Sequence, residues 1–148
     1  MVKTILFTFL VVIAMVGCND DEEPNTPPPL NIATYTPDNN FEQKLIDLGY
    51  DDVLDDYVLT ANIVGINELD ISSLGIKDLT GIENFWGMNF LNCENNQLTT
   101  LDVSKNRSLI ELKCSSNQLT NLYVSESIKI LYCGNTPPAS LISFLRRR

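Results

Sequence analysis

Four stretches of this chain superpose on a single leucine, and that internal period restricts the possible folds more than any other feature. They begin Ile66-Asn-Glu-Leu69-Asp-Ile71, Met88-Asn-Phe-Leu91-Asn-Cys93, Leu109-Ile-Glu-Leu112-Lys-Cys114 and Ile128-Lys-Ile-Leu131-Tyr-Cys133, with the aligned leucines 22, 21 and 19 residues apart. A unit of this length cannot bury an apolar face alone, so successive units stack into a solenoid with one continuous core. The fourth and sixth positions share one face of a short strand, and the first and eleventh point inward from adjoining turns.

The two middle units continue as Glu94-Asn-Asn96-Gln-Leu98 and Ser115-Ser-Asn117-Gln-Leu119, and both then add Thr-x-Leu-x-Val-Ser. Together they spell L-x-x-L-x-L-x-x-N-x-L and resemble the leucine-rich-repeat family, with Cys in the sixth place. The resemblance covers residues 61–136. It implies an α/β solenoid of about four coils, with parallel strands on one face, serving as a protein-interaction scaffold. Asn96 and Asn117 fall where the chain leaves the strand, where an amide can satisfy backbone groups of its own and the adjacent coil, so a two-member ladder is predicted. Leu74 and Thr136 replace it in the outer units, which therefore read as transitions to caps.

Caps are required because stacked repeats leave open apolar ends. Residues 38–60 are the expected N-terminal helical cap. Asp38 is its N-cap, Phe41, Leu45, Ile46 and Leu48 follow at helical spacing, Gly49 is its stop, and a second helical turn holds Val53, Leu54 and Tyr57. Residues 137–148 form the expected C-terminal cap, where Pro137-Pro138 ends the repeat pattern. Leu141, Ile142, Phe144 and Leu145 suit a short helix, whose C-terminal dipole Arg146, Arg147 and Arg148 would complement. Four repeats are close to the minimum for stability, so a truncated longer repeat protein is the alternative reading.

The chain opens as a leader, residues 1–17, with Lys3 before an apolar run from Ile5 to Val16 that ends at Gly17-Cys18. That run is shorter than the roughly 20 residues needed to span a bilayer. Met15-Val16-Gly17-Cys18 resembles the lipobox of bacterial lipoproteins, with Met15 where that family prefers Leu. The resemblance implies cleavage before Cys18 and lipidation of that residue, hence a membrane anchor. Asn19-Asp20-Asp21-Glu22-Glu23 resembles the acidic export signal that sends lipoproteins of the Bacteroidota to the outer face of the outer membrane; a solvated spacer is the alternative. Residues 18–37, with Pro24, Pro27, Pro28 and Pro29, read as a disordered linker, order beginning near Asp38.

Chemistry is sparse. The net charge of −9 repels nucleic acid, and the absence of histidine removes the commonest general base and metal ligand. Asp51, Asp52, Asp55 and Asp56 lack the glycine and closing glutamate of a calcium loop and read as a solvated helix face. Cys93, Cys114 and Cys133 occupy one repeat position and should stack as buried thiols, without the pairing that a zinc site or a full set of disulfides needs. Asn106-Arg107-Ser108 reads as a loop. No catalytic residue, metal site or cofactor is expected.

What remains is the outward side of the strands, comprising Glu68, Asp70 and Ser72, then Phe90, Asn92 and Glu94, then Glu111, Lys113 and Ser115, then Ile130 and Tyr132. Exposed Phe90, Ile130 and Tyr132 beside polar neighbours form a candidate recognition face, for which ordinary cross-strand packing is the alternative. The expected partner is a protein, with a glycan left open, and the chain is expected to act as a monomer.

Overall fold

The computed structural model describes residues 32–134 and the backbone of 142–144. The leader, Cys18 and the acidic tract lie outside the described residues. Strand β1 (Ala33–Tyr35) pairs antiparallel with β2 (Tyr57–Leu59), and helix α1 (Asn39–Asp47) lies between them in sequence, with the short helix α2 (Thr60–Ile63) following. Asp38 caps α1 as expected: its Oδ1 accepts from the N–H groups of Asn40 and Phe41 at 3.0 and 3.2 Å. Gly49 (φ 78°) follows the helix.

Two expectations for this region are corrected. Order begins before Asp38, because β1 lies within the stretch read as linker. Thr34 is buried there with its hydroxyl 2.8 Å from that of Thr60, and the Asn84 amide donates to it at 3.1 Å. The second helical turn is absent. Val53 and Leu54 lie exposed in a bend, and Tyr57-Val58-Leu59 alternates exposed, buried, exposed as a strand. The acidic residues around them leave no continuous apolar stripe for a helix to bury.

Among the described residues seven further strands follow: β3 (Glu68–Asp70), β4 (Phe90–Asn92), β5 (Thr100–Val103), β6 (Glu111–Lys113), β7 (Asn121–Val124), β8 (Ile130–Tyr132) and β9 (Ile142–Phe144). They form two parallel sheets, β3-β4-β6-β8 and β5-β7-β9. The four strands of the first sheet bound three full turns of a solenoid. The expected strands on one face are those of the first sheet; the second sheet adds strands where only a continuing motif had been noted. Its signal was the alternation in Leu101-Asp-Val103 and Leu122-Tyr-Val124, whose apolar members are buried. The C-terminal helix is also corrected, since Ile142–Phe144 is a strand in register with Leu122–Val124 of β7. An unpaired strand edge rewards backbone pairing, which an apolar run can supply in place of a helix. Pro137, Pro138 and Arg146–Arg148 lie outside the described residues.

The core runs between the sheets. Leu69, Leu91 and Leu112, with Ile71, Cys93 and Cys114, meet Leu101, Val103, Leu122 and Val124. Burial thins toward β8, where Ile128, Leu131 and Cys133 are only partly covered. The uneven repeat length has a local cause: Val103 precedes Leu109 by six residues, but Val124 precedes Ile128 by four. In the longer return Asn106 is fully buried and its amide donates to the carbonyls of Ile82 (2.8 Å) and Phe85 (3.3 Å). In the shorter one the hydroxyls of Ser125 and Ser127 donate to the carbonyls of Asn106 (3.1 Å) and Leu109 (2.8 Å). Asn106, read from sequence as a plain loop residue, is therefore a structural link between coils.

Candidate functional site

The candidate face owes its regularity to the asparagines beneath it. Asn96 Oδ1 accepts from the N–H groups of Leu74 (3.1 Å) and Ile76 (3.0 Å), and its Nδ2 donates to the carbonyls of Ile71 (2.8 Å) and Cys93 (3.1 Å). One coil later Asn117 accepts from Leu98 N–H (3.1 Å) and donates to Cys93 (2.9 Å) and Cys114 (3.1 Å). This is the expected ladder: each amide bridges its own coil and the one before, so buried backbone groups that would otherwise be unpaired are satisfied. Just before each asparagine the chain turns through positive φ, at Asn95 and Ser116, and it does so at Ser73 before Leu74, which holds the asparagine's place in the first coil.

Register places the predicted face residues in rows. Glu68, Phe90, Glu111 and Ile130 align across the sheet, as do Asp70, Asn92, Lys113 and Tyr132. Backbone bonds continue the alignment past the strand ends, from Ser73 to Glu94, Asn95 to Ser115 and Ser116 to Gly134, so Ser72, Glu94 and Ser115 border the same face. A further row was missed: Asn67, Asn89, Ile110 and Lys129 are linked in sequence by N–H to carbonyl bonds. Ile110 is exposed in it, and its signal was an apolar residue where the other repeats carry Asn or Lys.

Lys113 sits at the middle of the C-terminal half. Its ammonium lies 5.3 Å from the Phe90 ring centre and 5.5 Å from that of Tyr132, and 3.6 Å from a Glu111 carboxylate oxygen. Phe90, expected to be exposed, is half-buried on this account, while Ile130 and Tyr132 are 42% and 51% exposed. Cation–π contacts of this kind hold flat rings in one orientation at the surface. In the N-terminal half Asp70 accepts from the Ser72 N–H (3.0 Å) and hydroxyl (2.7 Å) and from the Asn92 amide (3.2 Å). Partial burial pushes the Asp70 carboxyl up, but these hydrogen bonds, with Lys44 nearby, outweigh it and hold it below its ordinary value.

Behind the face runs the cysteine column. Cys93 N–H donates to the Lys113 carbonyl and Cys114 N–H to that of Tyr132, both at 2.8 Å, so the sulfurs follow one another coil by coil. Cys93, Cys114 and Cys133 are all thiols outside any disulfide. Burial pushes the Cys114 thiol up to about 12 and that of Cys93 well above its ordinary value, which keeps both protonated. A separate groove of about 330 Å³ lies beside β5, lined by Asp78, Glu83, Asp102 and Lys105 among others. Each carboxylate there accepts a backbone N–H of its own turn: Thr80 for Asp78, Gly81 for Glu83 and Ser104 for Asp102. Among the described residues no group of three or more His, Cys, Asp or Glu side chains could hold a metal ion.

Comparison with solved structures follows the same register. The functional domain of InlJ from Listeria monocytogenes, a structure described as including a cysteine ladder, is 28% identical with a TM-score of 0.64, over 81% of this chain and 29% of that one. The internalin InlF of Listeria monocytogenes is 20% identical with a TM-score of 0.59, over 83% of this chain and 36% of its own. The fold is a leucine-rich-repeat solenoid. Its repeat spacing of about 21 residues and its parallel strands match the internalin type. The chain thus spans roughly a third of the length of these two relatives. No family model matches it, and no curated protein does. In the leucine-rich-repeat frame the cysteines replace a core aliphatic residue, Ile71 in the first coil, so the cysteine column is part of the packing and the outward rows remain the candidate site.

Proposed function

We propose that this chain is an exported, lipid-anchored leucine-rich-repeat protein that binds a protein ligand on the outward face of β3-β4-β6-β8, from Glu68 to Tyr132. The observation that carries the reading is the arrangement of Phe90, Lys113 and Tyr132, two rings held against one cation, with Ile110 and Ile130 exposed in neighbouring rows. Rigid aromatics offer contact area at little entropic cost, and internalin-like leucine-rich-repeat relatives favour a protein-binding or adhesion role over catalysis. The anchor is a lipid on Cys18, and the proline-rich stretch after it lifts the solenoid off the membrane at about 3.1 Å per residue. Residues Asn19 to Glu23 direct it to the outer membrane surface, where the module works as a monomer, without a cofactor and without nucleic acid.

The reading is tested with intact cells expressing the full chain and its Cys18→Ala variant, fed radiolabelled fatty acid and then exposed to protease. Wild type should be labelled and shaved away, and the variant neither labelled nor cell-bound. Label that survives Cys18→Ala sinks the anchor, and label protected from protease moves the ligand to the periplasm. A second reading makes the chain the anchored start of a longer repeat protein with no ligand of its own; the chain's short span within its two relatives favours it. In-frame repeats in the genomic sequence downstream would establish that second reading.

A further inference from the structure

The two halves of the outward face carry different chemistry. We infer that its occupant is a protein segment with lysine or arginine at one end and apolar side chains at the other. This rests on the protein-binding reading above and adds the partner's character. Glu68 and Asp70 lie on β3, with Glu94 just beyond β4, while the predicted face residues of these two strands include no Lys or Arg. Asp70 is held ionised by its donors, with Lys44 of α1 the cation near it. At the other end Phe90 and Tyr132 flank Lys113, whose charge Glu111 and the two rings already answer, and Ile110 and Ile130 are exposed in neighbouring rows.

Docking removes water from whatever it covers. A neutral or acidic segment over Glu68, Asp70 and Glu94 would leave carboxylates desolvated and unpaired, which is costly, whereas a cation turns the same burial into charge-assisted hydrogen bonds. The net charge of −9 adds long-range attraction for such a partner. Over Ile130 and Tyr132 the favourable occupant is apolar, since these side chains already expose hydrocarbon to water. Parallel strands lie about 4.8 Å apart, so β3 and β8 are separated by roughly 14 Å, about four residues of an extended segment at ~3.3 Å each. The partner's basic and apolar positions should therefore be about four residues apart if it crosses the strands extended.

The test is selection of phage displaying short random peptides on the purified full chain, with counter-selection on an Ile130→Ser, Tyr132→Ala variant. The enriched peptides should combine Lys or Arg with an aromatic or aliphatic residue about four positions away. A synthetic copy should bind about tenfold more weakly to Glu68→Gln with Glu94→Gln, as expected for two lost surface pairs, and also as salt is raised. Asp52→Asn with Glu126→Gln, exposed carboxylates off the face, matches the charge change and should leave binding within about twofold. Peptides that need Ile130 and Tyr132 but are neutral or acidic overturn this inference and leave the protein-binding reading intact. No enrichment, or enrichment that the counter-selecting variant retains, overturns both. Equal losses in the two carboxylate variants also overturn it, by assigning the attraction to net charge alone.

Discussion

The coil that contains Asn96 and the unit built from β1, α1 and β2 are both tied down by hydrogen bonds, but their partners stand in different relations along the chain. Asn96 reaches its own coil and the preceding one, and Asn117 repeats the pattern one coil later. In the N-terminal unit each link occurs once: Asp38 Oδ2 accepts from Lys77 N–H (2.8 Å) and Asp78 N–H (3.2 Å), Asn84 reaches back to Thr34, and Phe41 meets Phe85 at 6.0 Å between ring centres. Repetition makes the coil contacts a consequence of local pattern. The cap depends on single matches between segments far apart in sequence, so damage should spread differently in the two regions.

The largest effect is expected from Asn96→Ala, which strands the N–H groups of Leu74 and Ile76 and the Ile71 carbonyl, the Cys93 carbonyl keeping its bond from Asn117, and should cost about 3–5 kcal/mol in urea unfolding. A loss under about 1 kcal/mol would mean that water replaces the amide and the ladder is not what aligns the coils. Gly81→Ala attacks the other region. Gly81 has φ 99° and an added Cβ would lie 2.6 Å from the Tyr35 carbonyl oxygen, so β1 must move, at a cost of about 2–4 kcal/mol. Hydrogen exchange should then show β1 and β2 opening while β4 and β6 keep their protection. Equal loss of protection in both would erase the distinction between cap and coils.

Within the coils, Cys114→Ala should cost about 1–2 kcal/mol and Cys133→Ala less, following their burial; equal costs would show that the column is not graded toward β8. Smallest are two carboxyl groups, one from each region, read by carboxyl chemical shifts against pH. Asp70 is held below its ordinary 3.8, so its stabilising contribution is present above that value and lost as pH falls through the folded one. Asp51 is raised above 3.8, by burial first and then by Asp52 and Asp55. Its contribution is present below 3.8 and lost as pH rises through the folded value. Asp51→Asn should therefore slightly stabilise the protein at neutral pH, and Asp70→Asn slightly destabilise it. The opposite signs would reverse the assignment of the two environments.

Much of this molecule was legible in its residues. The leucine period determined the coils and the rows of the face, the aligned cysteines a column that is buried at Cys93 and Cys114 and only partly so at Cys133, Asn96 and Asn117 the ladder, and Asp38 the start of α1. Each rests on a signal that is either local, as in a helix cap, or repeated at a constant interval, so neighbouring positions specify it without knowledge of distant contacts. Tertiary structure decided the rest. Thr34 is buried because Thr60 and Asn84 meet it, Gly81 must be glycine because β1 crosses over it, and Asn106 is a link because the previous coil offers two carbonyls. The two rings around Lys113 acquired their orientation in the same way, from strands brought side by side across a full repeat. Contacts made once, between segments tens of residues apart, leave no period in the chain, and only the folded coil brings their halves together.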